Sequence, residues 1–141
     1  MSYSFEEEKQ IKVFNSSTGK IKRAITLSNS TILSLRGEKM LSGEKDGMIR
    51  LWNLKLNKEI RRIKAHSLPI NSVIFSPQGT MILSASNDET IRLWDALSGK
   101  KIKTYEGHTD DVCSIAFNAQ GNKFASGSAD KTIRIWSVFQ N

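Results

Sequence analysis

Apolar and polar residues alternate along most of this chain in runs too short for helices. In "INSVIF" (70–75) and "VCSIAF" (112–117) apolar side chains alternate with small ones, and "TIRLW" (90–94) alternates apolar with polar. The stretches "TMILSAS" (80–86) and "NKFASGS" (122–128) follow the turn-forming "SPQG" and "NAQG". "KEIRRI" (58–63) and "KKIKTY" (100–105) place an apolar residue at every second or third position. Period-two runs of this length, bounded by Gly, Asn, Asp and Pro, predict β-strands, four to a unit, and no helix. Both prolines, Pro69 and Pro77, fall in linkers and disturb no strand.

The pattern repeats with a fixed step. Trp52, Trp94 and Trp136 are 42 residues apart, as are Asp46, Asp88 and Asp130, Ser42, Ser84 and Ser126, and His66 and His108. A worn copy lies upstream, where "IKVFNSSTG" sets Phe14 at the Trp position, 38 residues before Trp52. Ser28 stands 14 residues after Phe14, as each histidine stands 14 after its Trp, and Ser4 and Glu8 fall where Ser84 and Asp88 fall. Self-similarity at this period means stacked supersecondary units, because one such unit cannot bury both its faces alone.

Composition narrows the chemistry. The 141 residues, 38% hydrophobic and 25% charged, fit an ordinary globular chain with one modest core. No apolar run reaches the roughly 18 residues of a membrane span, and "MSYSFEEEKQ" is acidic where a secretory signal would be basic. An intracellular location, cytoplasmic or nuclear, is expected. The single Cys113 forms no internal disulfide, and two histidines make no metal-spaced cluster. Cys113 reads as a plain strand residue. No cofactor and no metal are expected.

A unit of 42 residues with Gly-His near its start, a Ser-x-Ser-x-Asp turn and a closing Trp-Asp is similar to the WD-repeat β-propeller family. The stretch "GHTDDVCSIAFNAQGNKFASGSADKTIRIWS" carries the pattern nearly throughout, and "AHSLPINSVIFSPQGTMILSASNDETIRLWD" departs mainly at Ala65. The resemblance implies an all-β fold of β-propeller blades, each of four antiparallel strands running from a central channel to the rim. It also implies a hydrogen-bonded chain in each blade. One joins His66, Ser84 or Ser86, Asp88 and Trp94; the other joins His108, Ser126 or Ser128, Asp130 and Trp136. Both serines of a pair share one strand face, so spacing does not choose between them. In the unit ending at Trp52, Ser28 replaces the histidine and Glu44 a serine, and a broken network and a softer blade are expected there.

The strands add up to about three and a half blades, whereas closed propellers typically have about four to eight. The blades fall at about 1–27 (partial), 28–65, 66–107 and 108–141, the last without its outer strand. The chain is therefore read as the C-terminal half of a larger propeller, such as one of seven blades, or as a short chain that completes a ring with a second chain. Ser, His and Asp at recurring spacing resemble a hydrolase triad, but two equivalent copies, each tied to a Trp, look like architecture. The expected function is a non-catalytic scaffold for other proteins. Its partner-binding positions, carried over from the narrow face of the family's propellers, are Lys45, Leu68, Asn71, Asn87, Asp110, Asp111 and Ala129.

Charge supplies the alternative. The net charge is +7, and eleven of 21 basic residues fall in or beside the outer strands: Lys20, Lys22, Arg23, Lys55, Lys58, Arg61, Arg62, Lys64, Lys100, Lys101 and Lys103. Such a rim could dock RNA, an anionic membrane or an acidic protein surface, or simply discourage strand pairing. No aromatics interleave the charges, which weakens the nucleic-acid reading. "EIRRIK" lacks the rest of a Phe-Arg-Arg-Gly lipid motif. Trp94-Asp95-Ala96-Leu97 and Trp52-Asn53-Leu54-Lys55 lack the arginine of an adaptor-binding Trp-Asp-x-Arg box.

Overall fold

The computed structural model describes residues 8–14, 17–28 and 32–139. Thirteen strands and no helix occur among them. The first two are β1 (Glu8–Phe14) and β2 (Ile21–Ser28). There follow β3 (Ile32–Arg36), β4 (Lys39–Gly43), β5 (Met48–Asn53) and β6 (Lys58–Lys64), then β7 (Ile70–Phe75), β8 (Met81–Ser86), β9 (Ile91–Asp95) and β10 (Lys101–Tyr105). The last are β11 (Val112–Phe117), β12 (Lys123–Ser128) and β13 (Ile133–Ser137).

Every strand pairs antiparallel with its neighbour in sequence, giving sheets β1-β2, β3-β4-β5-β6, β7-β8-β9-β10 and β11-β12-β13. These are the expected four-stranded units, with a fourth sheet of three strands, and the architecture is that of a partial β-propeller. The strand expected around Ser4 lies outside the described residues. Glu8, placed by its spacing at a turn, instead opens β1 and pairs with Ser28, so this hairpin runs longer than its counterparts. The worn Trp position keeps its register: Phe14 pairs with Ile21 as Trp52 pairs with Glu59 and Trp94 with Lys101, seven residues on each time and each beside a bulge.

Sheets two to four stack face to face through two apolar layers. In the first, Leu41, Ile49, Leu51 and Ile63 of the second sheet meet Ile70, Val73, Ile82 and Trp94 of the third. In the second, Leu83, Ala85, Ile91, Leu93 and Tyr105 of the third meet Val112, Ile115, Phe124 and Val138 around the fourth. Burying one such aliphatic side chain contributes roughly 1.5–3 kcal/mol, so these layers hold the molecule together. β8 lies inside its sheet with both faces covered, which is why Ile82 to Ser86 are all buried.

Small polar clasps fix how one sheet sits on the next. The extra residue of the bulge in β7, Asn71, donates from Nδ2 to Val112 O of the following sheet at 2.9 Å and to Asn87 Oδ1 at 2.6 Å. At the opposite end Arg36 Nη2 donates to Pro77 O at 2.6 Å, and Gln78, one repeat later, donates to Gln120 O at 2.8 Å. Tyr105 in β10 donates its hydroxyl to Val138 O at 2.7 Å, and burial pushes its pKa up to about 12.

Candidate functional site

The most connected polar group grows out of the β8–β9 turn. Glu89 takes a left-handed conformation (φ 72°), which folds Ser86 to Thr90 into a tight loop. Asp88 caps that loop: its Oδ1 accepts from Thr90 N at 2.9 Å and from the Thr90 hydroxyl at 2.6 Å. This aims Oδ2 at His66 Nδ1, 2.7 Å away. The other imidazole nitrogen, Nε2, lies 2.8 Å from Ser84 Oγ, which accepts from Trp94 Nε1 at 3.0 Å. The chain thus crosses from β9 to β8, to the loop before β7, and back to the β8–β9 turn.

Its electrostatics follow from burial. The His66 side chain is fully buried, and burial lowers its pKa below the ordinary value against the opposing pull of Asp88. The ring is therefore neutral, with Nδ1–H donating to Asp88 and Nε2 accepting from Ser84. Burial pushes Asp88 up, but the Thr90 and His66 donors more than reverse it, and its pKa is lowered.

The fourth sheet repeats the geometry. His108 Nδ1 is 2.7 Å from Asp130 Oδ2, Nε2 is 2.6 Å from Ser126 Oγ, and Trp136 Nε1 donates to Ser126 Oγ at 2.8 Å. Thr132 donates its hydroxyl to Asp130 Oδ1 at 2.5 Å, and Thr109 N donates to Oδ2 at 3.1 Å. Those donors, the Thr132 hydroxyl foremost, hold the Asp130 carboxyl well below the usual range.

Of the two serines that spacing left open, Ser84 and Ser126 sit in the chains. Ser86 donates instead to Pro69 O at 2.9 Å and Ser128 to Asp111 O at 2.8 Å, each also accepting from the amide of its turn aspartate. They tie the turn to the segment leading into the inner strand. Thr90 and Thr132 escaped the sequence reading, although their spacing, two residues after each Asp and 42 apart, was there to be seen.

The second sheet is rerouted, where a broken network was expected. Trp52 Nε1 still donates to Ser42 Oγ at 3.2 Å, and Ser42 donates on to Glu44 Oε1 at 3.3 Å. Glu44 is paired with Arg50 at 3.6 Å, so a carboxylate takes the acceptor role of the imidazole. Asp46 caps only its own turn, accepting from Met48 N at 3.0 Å.

These turns and the segments before the inner strands share one end of the stacked sheets. Asn87 N donates to Pro69 O, Ala129 N to Asp111 O, and Ile70 N to Glu44 O across the second and third sheets. Lys45, Leu68, Asp110 and Ala129 are exposed at this end, Leu68 to 45%. Asn71, Asn87 and Asp111 are half-buried, and the amide clasp already engages the side chains of the first two.

No group of His, Cys, Asp and Glu among the described residues could hold a metal ion, and none of the described elements is a helix long and apolar enough to cross a membrane. Cys113 is exposed, at the β11 bulge.

No curated protein matches the chain. The family model for the WD domain, G-beta repeat, matches residues 57–95 and 99–137, together more than half of it. Each matched segment begins on the outer strand of one sheet and ends on the third strand of the next, so one sequence repeat straddles two sheets. Stacked antiparallel sheets, a repeated Trp–Ser–His–Asp chain and that match lead to one conclusion: the chain belongs to the WD-repeat family.

Proposed function

We propose that the chain is a non-catalytic scaffold that binds other proteins through the end of the sheets carrying the β4–β5, β8–β9 and β12–β13 turns. WD repeats generally mediate protein–protein association and are generally non-catalytic. The observation that carries the proposal is that exposed side chains from three successive sheets, Lys45, Leu68, Asp110 and Ala129, are presented on loops pinned by backbone hydrogen bonds. Function-bearing loops on a rigid frame are the usual place for recognition. Sealed imidazoles support the non-catalytic part: the His66 and His108 side chains are 0% and 1% exposed, with both nitrogens of each engaged. A triad must present its histidine to substrate, and these face other protein groups.

The test places a photo-crosslinking residue at Ala129 and, separately, at Lys101 on the outer strand, and crosslinks in cells. Ala129 is expected to give discrete protein adducts that vanish when Leu68→Asp and Asp110→Lys are introduced and folding is unchanged. Adducts from Lys101 alone, or RNA as the crosslinked species, would reject this surface in favour of the basic rim.

A further inference from the structure

Two turns that lead into outer strands carry leucines that the fold leaves in the open. Leu97, between β9 and β10, is 86% exposed, and Leu56, between β5 and β6, is 63% exposed. The third sheet has a sheet packed on either side, so Leu97 is bare with its surroundings in place. Neither turn is loose. Asp95 Oδ1 accepts from Leu97 N at 3.0 Å and from Ser98 N at 2.8 Å, and Gly99 (φ 73°) donates to Asp95 O at 2.8 Å. One repeat earlier Asn53 Oδ1 accepts from Leu56 N at 2.9 Å, and Asn57 (φ 64°) takes the left-handed position. Each leucine is thus held outward on a capped loop.

Because the strands alternate in direction, these turns lie at the end of the sheets opposite the β4–β5 and β8–β9 turns. Leu54 N donates to Glu38 O at 2.7 Å and Ala96 N to Thr80 O at 3.0 Å, which ties them to the β3–β4 and β7–β8 turns. Ile60 and Ile102, one repeat apart on the outer strands, are 47% and 42% exposed. Lys55, Lys58, Lys100 and Lys101, all exposed, flank the two tips. The nearby acids are partly engaged: Asp95 caps its turn and Glu59 pairs with Arg62 at 2.6 Å, leaving Glu38 on the β3–β4 turn. The opposite end carries Asp46, Glu89, Asp110 and Asp111 against Lys45 and Lys131. Charge is therefore segregated, with the exposed lysines of one corner mixed with aliphatic side chains.

A basic surface alone would suit RNA or an acidic protein; the leucines separate these from a third partner. Single-stranded nucleic acid is gripped by aromatic stacking, and residues 53–64 and 95–104 contain no aromatic. A protein would have to offer a fitted pocket to each of two tips on separate turns. A bilayer takes apolar tips at any spacing, while lysines lay their stems along the apolar boundary and set their charges among anionic headgroups. We propose that this corner docks on an anionic lipid bilayer, with Leu56 and Leu97 entering the boundary between headgroups and acyl chains. The β8–β9 and β12–β13 turns then point away from the membrane. The docking rests on no part of the scaffold reading and is tested without a protein partner.

Co-sedimentation of the 141-residue chain with vesicles of phosphatidylcholine, alone or mixed with phosphatidylserine, tests it. Binding is expected to the mixed vesicles, to be weak on phosphatidylcholine alone, and to fall as salt rises. Leu56→Ser with Leu97→Ser, which leaves the charge unchanged, should weaken binding about tenfold or more. Lys100→Glu with Lys101→Glu should abolish it, and Leu68→Ser, at the opposite end, should leave it as it was. If the double leucine variant does not fold, Leu97→Ser alone decides. No binding to the mixed vesicles, equal binding to both kinds, binding indifferent to the leucines, or capture of an RNA oligonucleotide in place of the vesicles would each overturn the proposal.

Discussion

At the scale of single residues, the Trp–Ser–His–Asp chain makes stability depend on pH. His66 has a folded-state pKa below its ordinary value, so near and below pH 6.5 the unfolded chain binds more protons than the folded one. Its contribution is complete above that value and is lost as pH falls. Asp88 acts in the same direction at lower pH: its contribution is complete above the ordinary carboxylate range and is lost as pH falls through its lowered value. His66→Gln is therefore expected to cost about 1–3 kcal/mol at pH 7 by orphaning Ser84 and Asp88, and less at pH 5, where the native chain has already lost part of that gain. Urea unfolding at both pH values checks this. Thr90→Val should cost about 1–2 kcal/mol and raise the Asp88 pKa, because it deletes the 2.6 Å hydroxyl donor. An NMR titration of the carboxylate, with chemical unfolding alongside, measures both. The histidines, aspartates and tryptophans were legible because they recur in phase. The choice of Ser84 over Ser86 was not, because both point to one side of β8 and only the position of the imidazole separates them.

At the scale of the hairpin, three turns use one left-handed position with different residues: Gly47 (φ 86°), Glu89 (φ 72°) and Lys131 (φ 70°). A side chain there carries a steric penalty that glycine avoids. Lys131→Gly is expected to stabilise the fourth sheet by about 0.5–1 kcal/mol, read from the urea midpoint. Gly47→Ala should do the reverse, since its new Cβ would collide with the His66 carbonyl oxygen. The second sheet tests what its substituted network is worth. Its links through Ser42 span 3.2 and 3.3 Å, against 3.0 and 2.8 Å through Ser84. Amides of the Glu44–Gly47 turn should therefore exchange hydrogen faster than those of Ser86–Glu89. Equal protection would show that the Glu44–Arg50 pair replaces the histidine in full. Sequence missed this route because a glutamate in a serine's place looks like a loss until Arg50 is found beside it.

At the scale of the whole molecule, stacking decides what each repeat contributes. Leu83→Ala, beneath the fourth sheet, is expected to cost about 2–5 kcal/mol through lost burial and a cavity. Ile135→Ala, one strand and one repeat away and 69% exposed, should change the stability of the chain by less than about 0.5 kcal/mol. Thermal or chemical unfolding of the two variants separates them. Similar costs would mean that the Ile135 side chain is covered in solution. The straddling of each sequence repeat across two sheets adds to the coupling, because the chain that builds the outer strand of one sheet continues into the next. A cut within 65–69 should therefore loosen both neighbours.

Strand positions, the four-strand unit, the 42-residue step and the residue types of the hydrogen-bonded chain all follow from the order of amino acids, because alternation and turn chemistry are local and repetition makes them visible. Which serine joins the imidazole, how Glu44 and Arg50 reroute one network, and why Ile91 is sealed while Ile133 is bare do not follow from it. Those outcomes depend on what lies across a turn or on the neighbouring sheet. The same residue at the same place in a repeat has a different energy when the surface facing it changes.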